Sequence, residues 1–166
     1  MFDAHKDIVR GIVLIPELGF ATISNDESAK IWTMDGTLLH TLMGHTGFIF
    51  AIDYLPTGEL VTGGDDCTVR LWNPMDGSAG QMFQLPRTVW SITHNALGDL
   101  IVACEDKSIR TFTRDAARAA AGAELQQYQS DCKEGAKPQG GGDGDGLDWA
   151  NMKEYPTEVV GKIVGK

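Results

Sequence analysis

The stretch Asp65-Asp66-Cys67-Thr68-Val69-Arg70-Leu71-Trp72 has two counterparts in this chain. Forty residues before it stands Asn25-Asp26-Glu27-Ser28-Ala29-Lys30-Ile31-Trp32, and forty residues after it Glu105-Asp106-Lys107-Ser108-Ile109-Arg110-Thr111-Phe112. A turn aspartate and a β-branched run closing on an aromatic side chain therefore recur at one fixed period. Self-similarity at about forty residues marks a propeller blade, a four-stranded unit that buries its apolar faces only against its neighbours. Two histidines keep the same beat: His5 and His45 each stand 27 residues before a Trp.

Working outward from these stretches, each repeat reads as strands bounded by turn residues. The first predicts strands over Ile8–Ile15, Phe20–Ser24, Ala29–Thr33 and Leu38–Met43, joined by turns such as Pro16-Glu17-Leu18-Gly19. The second predicts Ile49–Leu55, Leu60–Gly63, Thr68–Asn73 and Gln81–Leu85, and the third Val89–His94, Leu100–Cys104 and Ser108–Thr113, after which the repeat stops with no fourth strand. From residue 114 to 132 alanine and straight-chain residues predict a short helix with Asp115 near its N-terminus. Residues 133–146 are rich in Gly and Asp and read as a linker. In 147–166 the apolar residues are too few to fold alone, so this segment reads as a tail that docks or stays loose.

A net charge of −9 and a pI near 4.7 argue against nucleic acid or an anionic membrane surface as partner, because such surfaces are met by basic stripes that displace counterions. They favour basic partners, or apolar ones with a basic rim. Cys67, Cys104 and Cys132 are an odd, scattered set without CxxC spacing, which reads as reduced thiols. The N-terminus lacks a basic-then-apolar signal, and no apolar run reaches the ~20 residues of a membrane helix. A soluble protein of the cytoplasm or nucleus is expected.

The ends of the repeats carry a family resemblance. Gly44-His45, Lys30-Ile31-Trp32 and Arg70-Leu71-Trp72 resemble the GH and WD ends of WD40 repeats. Gly44-His45-Thr46-Gly47-Phe48-Ile49, Gln84-Leu85-Pro86, Val89-Trp90 and Gly98-Asp99-Leu100-Ile101-Val102, with the stretch ending at Trp72, are similar to the last blades of the phospholipase A2-activating protein family, which are ubiquitin-binding WD-repeat proteins. The resemblance implies an all-β fold: a partial WD40 β-propeller of about three four-stranded antiparallel blades, at 1–43, 44–85 and 86–113, the last lacking its fourth strand, with a short helix and a Gly/Asp-rich tail. It also implies that 147–166 is the start of a truncated second ubiquitin-binding domain.

His5, Thr22, Asp26 and Trp32 form one set, and His45, Thr62, Asp66 and Trp72 repeat it. Thr, His and Asp together suggest a nucleophilic triad, but a catalytic constellation has no reason to recur forty residues on. A hydrogen-bond chain that satisfies buried polar groups in each blade does recur, and the WD resemblance implies such a structural tetrad. In the third repeat the corresponding positions hold Leu85, Val102, Asp106 and Phe112, so that blade is expected to rely on apolar packing. His40 and His94 read as ordinary strand or loop histidines. Asp143 to Glu154 has the first-to-twelfth spacing of a calcium loop, but Asp148 stands where that loop needs Gly, and a solvated acidic linker is the better reading. With no P-loop, dinucleotide fingerprint or GxSxG, no enzyme activity, cofactor or metal is expected.

The candidate binding site lies where the first strands begin. Alternation predicts that Val9, Ile49 and Val89 are buried, while Ile8, Arg10, Phe48, Phe50, Thr88 and Trp90 stand at the top face beside Asp65 and Glu105. Phe48, Phe50 and Trp90 with an acidic rim would make an exposed apolar patch, complementary to ubiquitin's apolar, basic-rimmed face. The expected function is a non-enzymatic interaction module for ubiquitin or ubiquitinated proteins. The rival readings are a WD40 scaffold that binds a basic peptide or protein, and a propeller fragment that pairs with itself to complete a ring, its missing strand drawn from 158–164.

Overall fold

The computed structural model describes residues 2–115, 123–135 and, as backbone strand, 160–163. Three four-stranded antiparallel sheets follow the forty-residue beat. The first holds β1 (Val9–Ile15), β2 (Gly19–Ser24), β3 (Ala29–Trp32) and β4 (Leu38–Leu42) in sequence order. The second holds β5 (Ile49–Tyr54), β6 (Leu60–Gly64), β7 (Thr68–Trp72) and β8 (Ala79–Gln84). The third holds β9 (Val89–His94), β10 (Leu100–Cys104) and β11 (Ile109–Thr113), with β12 (Val160–Ile163) beside β11. No strand follows β11 directly, but its open edge pairs in antiparallel register from Arg110 opposite Ile163 to Thr113 opposite Val160. The place of a fourth strand is thus filled from the far end of the same chain.

The β2–β3, β6–β7 and β10–β11 turns are built alike. The carboxylates of Asp26, Asp66 and Asp106 accept the backbone N–H two residues on, from Ser28, Thr68 and Ser108, at 3.1, 3.0 and 3.1 Å. Between them Glu27, Cys67 and Lys107 take left-handed backbone angles, with φ of 65°, 60° and 66°. A side chain that captures the turn's own N–H offsets the cost of this conformation for residues other than glycine.

The sheets pack through two shared cores. Ile15, Ile23 and Ile31 of the first meet Ile49 and Leu60 of the second. Leu55, Val61 and Val69 of the second meet Val89, Val102 and Phe112 of the third. The first strands β1, β5 and β9 lie side by side. Close approach at the second junction depends on Gly63, where a Cβ would stand only 2.6 Å from Val89 Cγ1 and 2.7 Å from Ile92 Cδ1. Two ion pairs also cross it, His94 Nδ1 to Asp53 at 2.8 Å and Arg114 to Glu59 at 2.8 Å. His94 is therefore an inter-blade partner and not an isolated histidine, and His40 meets the Met75 carbonyl at 3.2 Å.

The structure corrects several sequence expectations. Val9 is 47 % exposed, whereas Ile49 and Val89, at the same position in the next repeats, are fully buried. Alternation assigns Val9 to the correct face, but no sheet among the described residues covers that face. The described helix, α1, runs Ala123–Gly135, beyond the expected end at residue 132, while residues 114 and 115 are not helical. It docks rather than projecting freely. The Tyr128 hydroxyl and the Cys132 thiol both donate to the Gln84 carbonyl, at 2.5 and 3.3 Å. The Tyr128 ring meets Phe112 edge-on at 6.1 Å. Gly135 permits this docking, since a Cβ there would stand 2.0 Å from the Pro86 carbonyl oxygen. Most of the expected linker, the calcium-like loop and all of 147–166 except 160–163 lie outside the described residues.

Candidate functional site

The two His-Thr-Asp-Trp sets form continuous hydrogen-bond chains. In the second sheet, Trp72 Nε1–H donates to Thr62 Oγ1 at 2.8 Å, Thr62 Oγ1 meets His45 Nε2 at 2.8 Å, and His45 Nδ1 meets Asp66 at 2.8 Å. In the first, the corresponding distances from Trp32 through Thr22 and His5 to Asp26 are 2.9, 2.7 and 3.0 Å. One proton arrangement satisfies each chain: indole to hydroxyl, hydroxyl to Nε2, and Nδ1–H to carboxylate. Burial opposes the charge on Asp66, yet hydrogen bonds from His45 and Thr68 hold its carboxyl below the usual range. Burial lowers the proton affinity of His5, with Asp26 pulling the other way. Thr22 and Thr62 are buried, and each hydroxyl is committed at both ends, so neither is presented to a substrate.

The third sheet departs from the expectation of apolar packing alone. Leu85, Val102 and Phe112 do replace the polar groups, but Asp106 is claimed by Arg110, whose Nη2 lies 2.7 Å from Oδ2, and by the Ser108 hydroxyl at 2.5 Å. Burial works against the Asp106 carboxylate, but these donors pull its pKa down to about 2. The chain substitutes a guanidinium for the imidazole and keeps the turn carboxylate paired.

The exposed candidate residues are organised by a device the sequence does not display. Each first strand carries a β-bulge near its start. Val9 pairs with Ser24 and Gly11 with Ile23, Ile49 with Gly64 and Ala51 with Gly63, and Val89 with Cys104 and Ser91 with Ala103. The extra residues are Arg10, Phe50 and Trp90. A bulge re-aims one side chain without shifting the rest of the strand, and here three re-aimed side chains meet. The Phe50 ring stacks on Trp90 with centroids 4.8 Å apart and planes 12° from parallel. The Arg10 guanidinium lies over the other side of Phe50, 5.6 Å from its centroid. Phe48 adds an edge contact to Phe50 at 6.3 Å. Asn25 fixes Arg10 by accepting from its Nε at 2.7 Å.

The ladder runs Arg10, Phe50, Trp90 across all three sheets, at the end that carries the β2–β3, β6–β7 and β10–β11 turns. Trp90 remains 55 % exposed despite its stacked neighbour, and Ile8, Phe48 and Glu105 are exposed as well. Asp65 is half-buried, and its carboxylate receives the Thr88 hydroxyl at 3.2 Å. Thr88 itself is buried, so it supports the site from beneath instead of lining it. The sequence reading missed Asn25 as the anchor of Arg10 and the stacking of Arg10 on Phe50. The fixed spacing of 10, 50 and 90 was the available signal. Among the described residues no group of three His, Cys, Asp or Glu side chains is placed to hold a metal ion, and no helix is long and apolar enough to cross a membrane.

Comparison with known proteins gives consistent matches. The family described as "WD domain, G-beta repeat" matches residues 36–73. The chain is similar to the ubiquitin homeostasis protein lub1 of Schizosaccharomyces pombe, 38% identical over 128 residues that make up 76% of this chain and 17% of that protein. It is also similar to eukaryotic translation initiation factor 3 subunit I of Aspergillus fumigatus, 36% identical over 46% of this chain and 23% of the relative. Among solved structures, the WD40 β-propeller domain of Doa1 superposes with a TM-score of 0.69 at 36% identity, covering 71% of this chain and 40% of that one. The chain thus spans about a sixth of lub1 and two fifths of the Doa1 propeller structure.

Proposed function

Since this chain is a WD40-repeat protein with likeness to lub1 and to the Doa1 propeller, we propose that it is an interaction module of ubiquitin-dependent turnover that binds ubiquitin or ubiquitinated proteins. The observation that carries this reading is the bulge ladder. Stacked aromatic side chains anchored on three rigid sheets lose little entropy on binding, which is how the few dominant residues of an interface work. Phe48, Phe50 and Trp90 supply the apolar centre, and Asp65 and Glu105 supply acidic neighbours that complement a basic rim. The name of lub1 places that relative in ubiquitin homeostasis, and the likeness supports the same setting here.

The test is an NMR titration of labelled ubiquitin with the chain, repeated with Trp90→Ala and Phe50→Ala. Shifts confined to ubiquitin's apolar patch, weakened about tenfold or more by either variant, are the expected result. An unshifted ubiquitin spectrum at millimolar chain would overturn the proposal. Shifts that survive Trp90→Ala but vanish on Glu105→Lys would instead favour recognition of a basic peptide.

A further inference from the structure

One sheet face has an occupant implied by the repeat itself. On β5 the residues Ile49 and Ile52 face the first sheet, and on β9 Val89 and Ile92 face the second. At the same positions β1 carries Val9 and Ile12, followed by Leu14. Ile12 is 65 % exposed where Ile92 is 7 % exposed, and Leu14 is 67 % exposed. Among the described residues no sheet lies against this face. The same beat identifies the surface such a face packs on. Ile52 approaches the first sheet at Gly11, where a Cβ would stand 3.2 Å from its Cγ2, and Val89 and Ile92 approach the second at Gly63. Forty residues past Gly63 stands Ala103, another small residue, on the outer face of the third sheet with Ser91, Thr93 and Ile109. Ser91, Thr93 and Ile109 are exposed and Ala103 is half-buried.

We propose that a second copy of this chain covers the β1 face, seating Val9, Ile12 and Leu14 of one copy on the outer face of the third sheet, around Ala103, of the other. Two observations favour a second copy. The donor and acceptor faces are the first and last members of a series whose internal junctions are both filled in the same way. Neither face carries a charged side chain at the positions named, so a net charge of −9 is not concentrated where the copies meet. The contact is head-to-tail. It closes when it is made twice about a two-fold axis, and two sets of three sheets give six, within the roughly four to eight that propellers use. Closure also removes both exposed faces at once, which a single contact does not.

Sedimentation velocity on the whole chain tests this. The expected particle weighs about 36 kDa, twice the 18.0 kDa chain. Ile12→Asp, at an exposed donor position, and Ala103→Arg, at the acceptor, should each raise the dimer dissociation constant at least tenfold, while far-ultraviolet circular dichroism stays unchanged. A monomer at hundred-micromolar concentration would overturn the proposal. So would a dimer unaffected by both substitutions, which would place the contact elsewhere, or a continuous ladder of larger species, which would mean that the contact does not close. None of these results depends on ubiquitin binding, so the two proposals fail separately.

Discussion

At the residue scale, the repeated aspartate is what the chain protects most consistently. Asp26 and Asp66 are each held by an imidazole, a hydroxyl and backbone N–H groups, and Asp106 by a guanidinium and a hydroxyl. Removing the middle of a buried chain is costly because both of its partners are left unmet. Thr62→Val strands the Trp72 indole N–H and His45 Nε2, and should cost about 1–3 kcal/mol in urea unfolding. A variant as stable as the parent would show that the chain contributes nothing net. The same carboxylates set an acid limit. Each has a folded pKa below its ordinary value of 3.8, so its stabilisation is fully present above that value and is lost as pH falls through the folded one. For Asp106 the window runs from 3.8 to about 2. Thermal unfolding midpoints should therefore fall steeply below pH 4, and Asp106→Asn should flatten part of that slope while lowering stability at neutral pH. The aspartate beat was legible in the sequence, whereas the role of Arg110 was not. Lys30 and Arg70 occupy the same register position without making the pair that Arg110 makes, so only the loss of His and Thr nearby distinguishes it.

At the element scale, strands and turns could be read because their determinants are local: β-branched runs, and aspartates that capture the next turn N–H. The β-bulges could not, because one extra residue in each first strand is absorbed equally in every repeat and leaves the forty-residue period untouched. This is why Arg10, Phe50 and Trp90 could be placed near the site but not recognised as one stack. The helix is the opposite case. Its composition predicted helix, but its position depends on Gln84, Phe112 and Pro86, which are remote in sequence. Two substitutions test that docking at different strengths. Tyr128→Phe removes only the bond to the Gln84 carbonyl and should cost about 1 kcal/mol. Gly135→Ala places a methyl group into the Pro86 carbonyl and should release the C-terminal turn of α1, which would be read as faster amide exchange over 131–135 with the sheets unchanged. Unaltered exchange there would mean that the helix is held by Tyr128 and Cys132 alone.

At the scale of the molecule, the second sheet occupies a position that neither of its neighbours shares. It contributes to both apolar cores, whereas the first and third sheets each contribute to one. The inter-blade ion pairs from Asp53 and Glu59 also leave from this sheet. Repeat arrays behave approximately as sums of unit stabilities and nearest-neighbour terms, so the unit with two interfaces should open last. Native-state hydrogen exchange should accordingly find the slowest amides in β6 and β7, exchanging only through global unfolding. Those of β2 and β3 should exchange through a smaller opening that leaves the second core intact. A truncation in the middle unit discriminates further. Val69→Ala, in the core shared with the third sheet, should cost about 2 kcal/mol and speed exchange in β10 and β11, because the cavity lies at their junction. It should leave the ratio of β2 to β6 protection nearly unchanged, since the other interface is untouched. If β2 and β3 outlast β6 and β7, then the first sheet draws its stability from a source other than the core it shares. A second copy seated on the β1 face would supply that source, and dilution below the dimer dissociation constant should then restore the expected order.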